Sequence, residues 1–136
     1  EDFWERCQPL IEPYRERLIT LGLLTDPEDM ARFYAMCDLF VLPSRTDCLA
    51  SVQVEAMFNG TPVVATNIPG AREVVRRSGM GLLVEPRDEQ DLARGIVRVL
   101  SNPNGYIKPF DQVYSLFDPK KAITEYENLF ASMIKA

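Results

Sequence analysis

Short unbroken apolar runs alternate with segments whose apolar residues recur every three or four positions, and this alternation organises the chain. Leu18–Leu21, Leu39–Leu42, Pro62–Ala65 and Gly81–Val84 are the runs, followed in turn by Gly22, Pro43, Thr66 and Glu85. Apolar runs of this length suit strands covered on both faces. The intervening segments carry helical spacing. Trp4 to Arg15 predicts an irregular amphipathic helix, interrupted at Pro9 and Pro13. Asp26-Pro27-Glu28-Asp29 is a helix start, with a capping carboxylate, a proline in the first turn and acids at the positive end of the dipole. Met30, Phe33, Tyr34 and Cys37 then mark the buried face. Further helices are predicted over residues 51–59, 70–77 and 88–101, the last capped by Asp88 with Leu92, Ile96, Val99 and Leu100 inward. A loop containing Pro103, Gly105 and Pro109 leads to a final helix. Asp118 caps it, Pro119 opens it, and Ile123, Tyr126, Phe130 and Met133 form its apolar stripe.

Buried strands alternating with helices imply parallel βαβ units. The expected fold is α/β: a partial Rossmann-like domain of about four short parallel strands with helices on both faces. At 136 residues the chain can bury one ordinary core. Sheets of this kind take ligands at the carboxyl ends of their strands. Here those ends are Gly22 to Leu24, Pro43 to Ala50, Thr66 to Gly70, and Glu85-Pro86.

Composition narrows the function. A net charge of −5 without a basic stripe argues against nucleic acid, and Glu73 dilutes the densest basic cluster, Arg72, Arg76 and Arg77. The cysteines Cys7, Cys37 and Cys48 are odd in number and widely spaced, which fits free thiols in a reducing compartment and neither a disulfide framework nor a zinc site. Histidine is absent, removing the commonest general base and metal ligand from this part of the protein. No apolar run approaches the roughly 18 residues of a membrane span, and Glu1-Asp2-Phe3-Trp4-Glu5-Arg6 does not resemble a secretory signal. Asn59-Gly60-Thr61 matches a glycosylation acceptor, but at a helix end leading into a buried strand it is expected to be silent.

Between Cys48 and Ala71 the only formal charge is Glu55. A buried, unpaired carboxylate would cost several kcal/mol, so Glu55 requires solvent, a proton or a hydrogen-bonding partner brought from elsewhere. Asp47 precedes it in the loop after a strand. The helix beginning near Ala50 to Val52 has no acid in its first turn, so its amides are open to a phosphate or diphosphate. Two carboxylates bracketing such a turn suit a hydroxyl-rich ligand, because they accept from vicinal diols. Each has a plainer reading: Asp47 as a turn residue, Glu55 as a solvated helix-edge acid.

Phe40-Val41-Leu42-Pro43-Ser44, Asp47, Glu55-Ala56-Met57, Gly60 to Ala65, Pro69-Gly70-Ala71-Arg72-Glu73 and Gly81 to Val84, in that order, resemble the C-terminal donor-binding domain of the group 1 (family 4) retaining glycosyltransferases. The resemblance implies the GT-B arrangement of two Rossmann-like domains facing a cleft, and a hexosyltransferase activity for the complete enzyme. It assigns the donor sugar to Asp47, as the catalytic-site acid, the ribose hydroxyls to Glu55, and the diphosphate to the amides around Leu49, Ala50 and Ser51. It implies a nucleotide-diphosphate sugar as substrate, no cofactor, no bound metal, retention of configuration and help from the leaving phosphate in deprotonating the acceptor. The acceptor, whether saccharide, lipid-linked or small molecule, would sit in an N-terminal domain of the same protein. Residues 1–136 are thus expected to be an incomplete donor domain, lacking that domain and the first βα units, and inactive alone. The expected setting is the cytoplasm, with peripheral attachment at the inner membrane face left open.

Three departures from the family pattern stand out. Asp47 replaces the usual glutamate, and Cys48 and Ala50 occupy positions where glycine is usual. They favour one rival reading, a non-catalytic sugar-nucleotide-binding domain. A phosphorylase or epimerase of GT-B shape is another, although no lysine-centred pyridoxal phosphate site is evident.

Overall fold

The computed structural model describes residues 3–134, so Glu1 and Asp2 lie outside the described residues. Three parallel strands form one sheet in the order β1-β2-β3: β1 Phe40–Leu42, β2 Val63–Thr66 and β3 Gly81–Val84. Phe40 pairs with Val63, and Val63 in turn with Gly81. The helices are α1 Phe3–Ile11, α2 Pro27–Met36, α3 Ser51–Phe58, α4 Pro69–Ser78, α5 Glu89–Ser101, α6 Phe110–Phe117 and α7 Pro119–Ile134, with 3-10 turns at Glu12–Arg17 and Pro103–Gly105. Among the described residues no helix is long and apolar enough to cross a membrane.

Strand periodicity divides the core. On one face Val63 and Ala65 join Tyr34, Ala56, Met57, Val74, Met80 and Val113, so α2, α3, α4 and α6 cover this side. On the other face Val64 and Val84 pack with Val99, Leu92 and Ile96 of α5. Because side chains alternate across the pleat, each strand serves both layers, which is why none shows polar alternation. The starts of α2 and α5 follow from their sequence. Asp26 Oδ1 accepts the amides of Glu28 (2.8 Å) and Asp29 (3.1 Å), and Asp88 Oδ1 accepts that of Asp91 (2.8 Å).

The fold class is as expected, with three corrections. Leu18–Leu21 is not a strand: Leu18 is extended, but among the described residues the run pairs with no strand, and Ile19 is 85% exposed. A strand is stabilised by its neighbour, and β1 bonds only β2. Residues 110–117, assigned to a loop, form α6, whose Val113 is buried. Leu100 points outward, and Gly95 holds the inward position. There α5 lies so close to the sheet that a Cβ on Gly95 would be 2.6 Å from Val84 Cγ1, which leaves Leu100 at the rim. The stripe on α7 forms, but none of its described residues is buried.

Candidate functional site

Asp47 to Ala50 is the last part of the loop that runs from the end of β1 at Leu42 to α3. Asp47 is half-buried, Leu49 is exposed, Ala50 is buried at the N-cap and Ser51 opens the helix. Ala50 offers no side-chain cap and α3 has no acid in its first turn. The first amides of a helix lack intrahelical acceptors. The main-chain amide of Gln53 donates to the Ala50 carbonyl oxygen at 3.0 Å, and with no side-chain cap the amides before it and a positive partial charge are left for an anion.

The loop is fixed from below. Gly70, in the first turn of α4, lies so near that a Cβ on it would be 2.5 Å from the Cys48 carbonyl oxygen and would overlap that of Asp47. Gln53, fully buried in α3, donates from Nε2 to the Ala71 carbonyl oxygen at 3.2 Å. The starts of α3 and α4 are therefore tied together beneath the loop. Gln53 Oε1, Asn67 Oδ1 and Arg72 Nε are buried atoms without a hydrogen-bond partner, all three on α3, α4 or the turn before α4.

Glu55 stands one turn into α3, half-buried, and faces α2. Its Oε2 accepts from the Tyr34 hydroxyl at 3.3 Å. With Pro27, Met30, Ala31, Tyr34, Phe58 and Asn59 it lines a cavity of about 210 Å³. Burial, then the nearby Glu55 carboxylate, pushes the Tyr34 hydroxyl above its ordinary pKa, so it stays a proton donor at neutral pH. A larger cleft of about 560 Å³ opens where the strands end, lined by Ser44, Arg45, Thr66, Glu85, Arg87 and Asp88 among others. A third, of about 400 Å³, runs past Leu49 and Ser51 to Arg77 and Lys121.

The structure thus gathers Leu49, Ala50 and Ser51 at one helix start, with Asp47 behind them and Glu55 one turn deeper, turned toward α2. Glu55 lines the smallest of these three cavities, and Asp47 lines none of the three. Sequence reasoning placed Tyr34 in the core and missed its hydroxyl as the partner of Glu55. It likewise missed the burial of Gln53 and the packing of Gly70. The unpaired charge at position 55 was the available signal for Tyr34, since it demanded a donor from another element.

A profile of the family described as "Glycosyl transferases group 1" matches residues 3–102. The chain is 32% identical over 94 residues to an uncharacterised glycosyltransferase of Haemophilus influenzae, covering 68% of this chain and 27% of that protein. It is 27% identical to the N-acetyl-alpha-D-glucosaminyl L-malate synthase of Bacillus anthracis, covering 88% of this chain and 32% of the relative. Among solved structures, a sucrose-phosphate synthase of Thermosynechococcus elongatus superposes with a TM-score of 0.80 at 28% identity, over 96% of this chain and 34% of that one. The chain therefore spans about a third or less of the length of these proteins. Its α/β architecture is that of GT-B glycosyltransferases. By the profile match and these relatives, the chain belongs to the group 1 glycosyltransferases.

Proposed function

We propose that this chain is the donor-binding part of a longer retaining glycosyltransferase, which moves a sugar from a nucleoside diphosphate to an acceptor held by another domain of the same protein. The observation that carries this reading is the start of α3. Ala50 supplies no side-chain cap, no acid occupies the first turn, and the loop before it rests on Gly70. The amides of Leu49, Ala50 and Ser51 take the diphosphate, Asp47 contacts the transferred sugar, and Glu55 accepts the ribose hydroxyls. Because amides and the helix dipole meet the diphosphate charge, no resident metal is needed for this role.

In the reaction, the bond from the sugar's anomeric carbon to the β-phosphate oxygen breaks and one to the acceptor oxygen forms. The acceptor's proton passes to the departing diphosphate, whose charge the start of α3 stabilises. The free thiols Cys7, Cys37 and Cys48 fit a reducing cytoplasmic setting.

Calorimetric titration with uridine, guanosine and adenosine diphosphate sugars tests the reading. One of them binds, and Glu55→Gln weakens it about tenfold or more, the worth of a hydrogen bond to a charged group. Equal affinity of the two proteins removes Glu55 from the site.

A further inference from the structure

Glu55 serves a ribose at lower entropic cost when its carboxylate is held in one orientation, and nothing charged near it in sequence does so. The holding group comes from α2. The Tyr34 hydroxyl donates to Oε2 at 3.3 Å and leaves Oε1 to accept from a ligand, and both residues line the same cavity. Tyr34 is itself fixed. It is 3% exposed, its ring lies edge-on to Phe40 at 5.8 Å, and it meets Phe33 at the same distance. Its main-chain carbonyl accepts from the Thr61 hydroxyl at 2.5 Å, tying α2 to the entrance of β2. On the other side, Asn59 Nδ2 donates to the Glu55 carbonyl oxygen at 2.8 Å and fixes the backbone from which the carboxylate extends.

We propose that Tyr34 is a positioning residue for the nucleotide: it holds one oxygen of Glu55 so that the other meets the ribose diol already aimed. This deepens the donor-binding reading and rests on it. A carboxylate on three rotatable bonds otherwise loses rotamer freedom on binding, and a preset one loses less. Tyr34 does not touch the ligand in this scheme. It acts through Glu55, and it makes the placement of α2 part of nucleotide recognition.

The test titrates the purified protein with a nucleoside diphosphate sugar and with its 2′,3′-dideoxy counterpart. Four forms are compared: wild type, Tyr34→Phe, Glu55→Gln and the double variant. Tyr34→Phe removes only the hydroxyl. It is expected to weaken the ribonucleotide about five- to tenfold, leave the dideoxy ligand unchanged, and add almost nothing on top of Glu55→Gln. Equal weakening of both ligands, or full additivity with Glu55→Gln, would overturn the proposal and make Tyr34 a packing residue. If Glu55→Gln itself fails to separate the two ligands, the donor-binding reading fails instead. A second readout needs no variant. In wild-type protein with isotope-labelled tyrosine, the Tyr34 ring resonance moves on adding the ribonucleotide and stays put with the dideoxy ligand; the same shift with both contradicts the assignment.

Discussion

Gly70 of α4 lies directly beneath the carbonyl of Asp47, with room for a hydrogen and none for a methyl group. This contact sets the height of the β1–α3 loop above the sheet, and so the direction in which the first amides of α3 point. Because the opposing atoms are main-chain oxygens of Asp47 and Cys48, no side chain can swing away to make space.

Gly70→Ala should therefore displace the loop. Overpacking in a close-packed interior costs about 1–3 kcal/mol, which denaturant melts would register, and the donor affinity should fall further than stability alone explains. A variant with unchanged melting and unchanged affinity would mean that the loop is not seated on α4.

Asp91 makes a prediction about acid. The main-chain amide of Glu85 donates to its Oδ2 at 2.8 Å and holds its carboxyl below the ordinary value; Arg94 adds to this and burial opposes it. A carboxylate depressed in the folded state stabilises fully above its unfolded value, about 3.9, and loses that contribution as pH falls through the folded value. Asp91→Asn should accordingly melt lower than wild type at neutral pH, with the two curves converging below about pH 4. A gap that stayed constant into acid would show that the carboxylate's charge is not what ties α5 to the end of β3.

Thiol chemistry separates two cysteines. Cys48 is exposed in the candidate loop. Cys37 is half-buried and donates to the Phe33 carbonyl oxygen at 3.2 Å, and burial, then Asp38, raises its pKa. At mildly alkaline pH a disulfide reagent should modify Cys48 well before Cys37. Bound nucleotide sugar should slow the reaction at Cys48, read by peptide mass spectrometry. Faster modification of Cys37 would contradict the described packing of α2.

Much of the fold was legible in the sequence. Apolar runs gave three strands that serve two core layers at once, and Asp26, Asp88 and Asp118 cap the helices they precede. What failed was whatever depends on a neighbour. Leu18–Leu21 has strand composition, but pairing makes a strand and among the described residues none lies beside it. Phe110, Val113, Tyr114 and Phe117 had helical spacing, and the prolines preceding them drew the segment into a loop assignment. In the candidate site, Glu55 and the helix start near Ala50 to Val52 were nameable from charge and turn position, while Leu49 entered only through the family resemblance. Their supports were not: Gly70, Gln53 and Tyr34 act across gaps of many residues, and no local pattern marks them.

The central claim is that the start of α3 receives a nucleotide diphosphate. The most direct test is an amide-resolved NMR titration of isotope-labelled protein with a nucleoside diphosphate. The account predicts the largest, saturable shifts at the amides of Leu49, Ala50 and Ser51, with smaller ones at Glu55 and Tyr34. Saturable shifts confined to another part of the chain, or none at millimolar ligand, would contradict it.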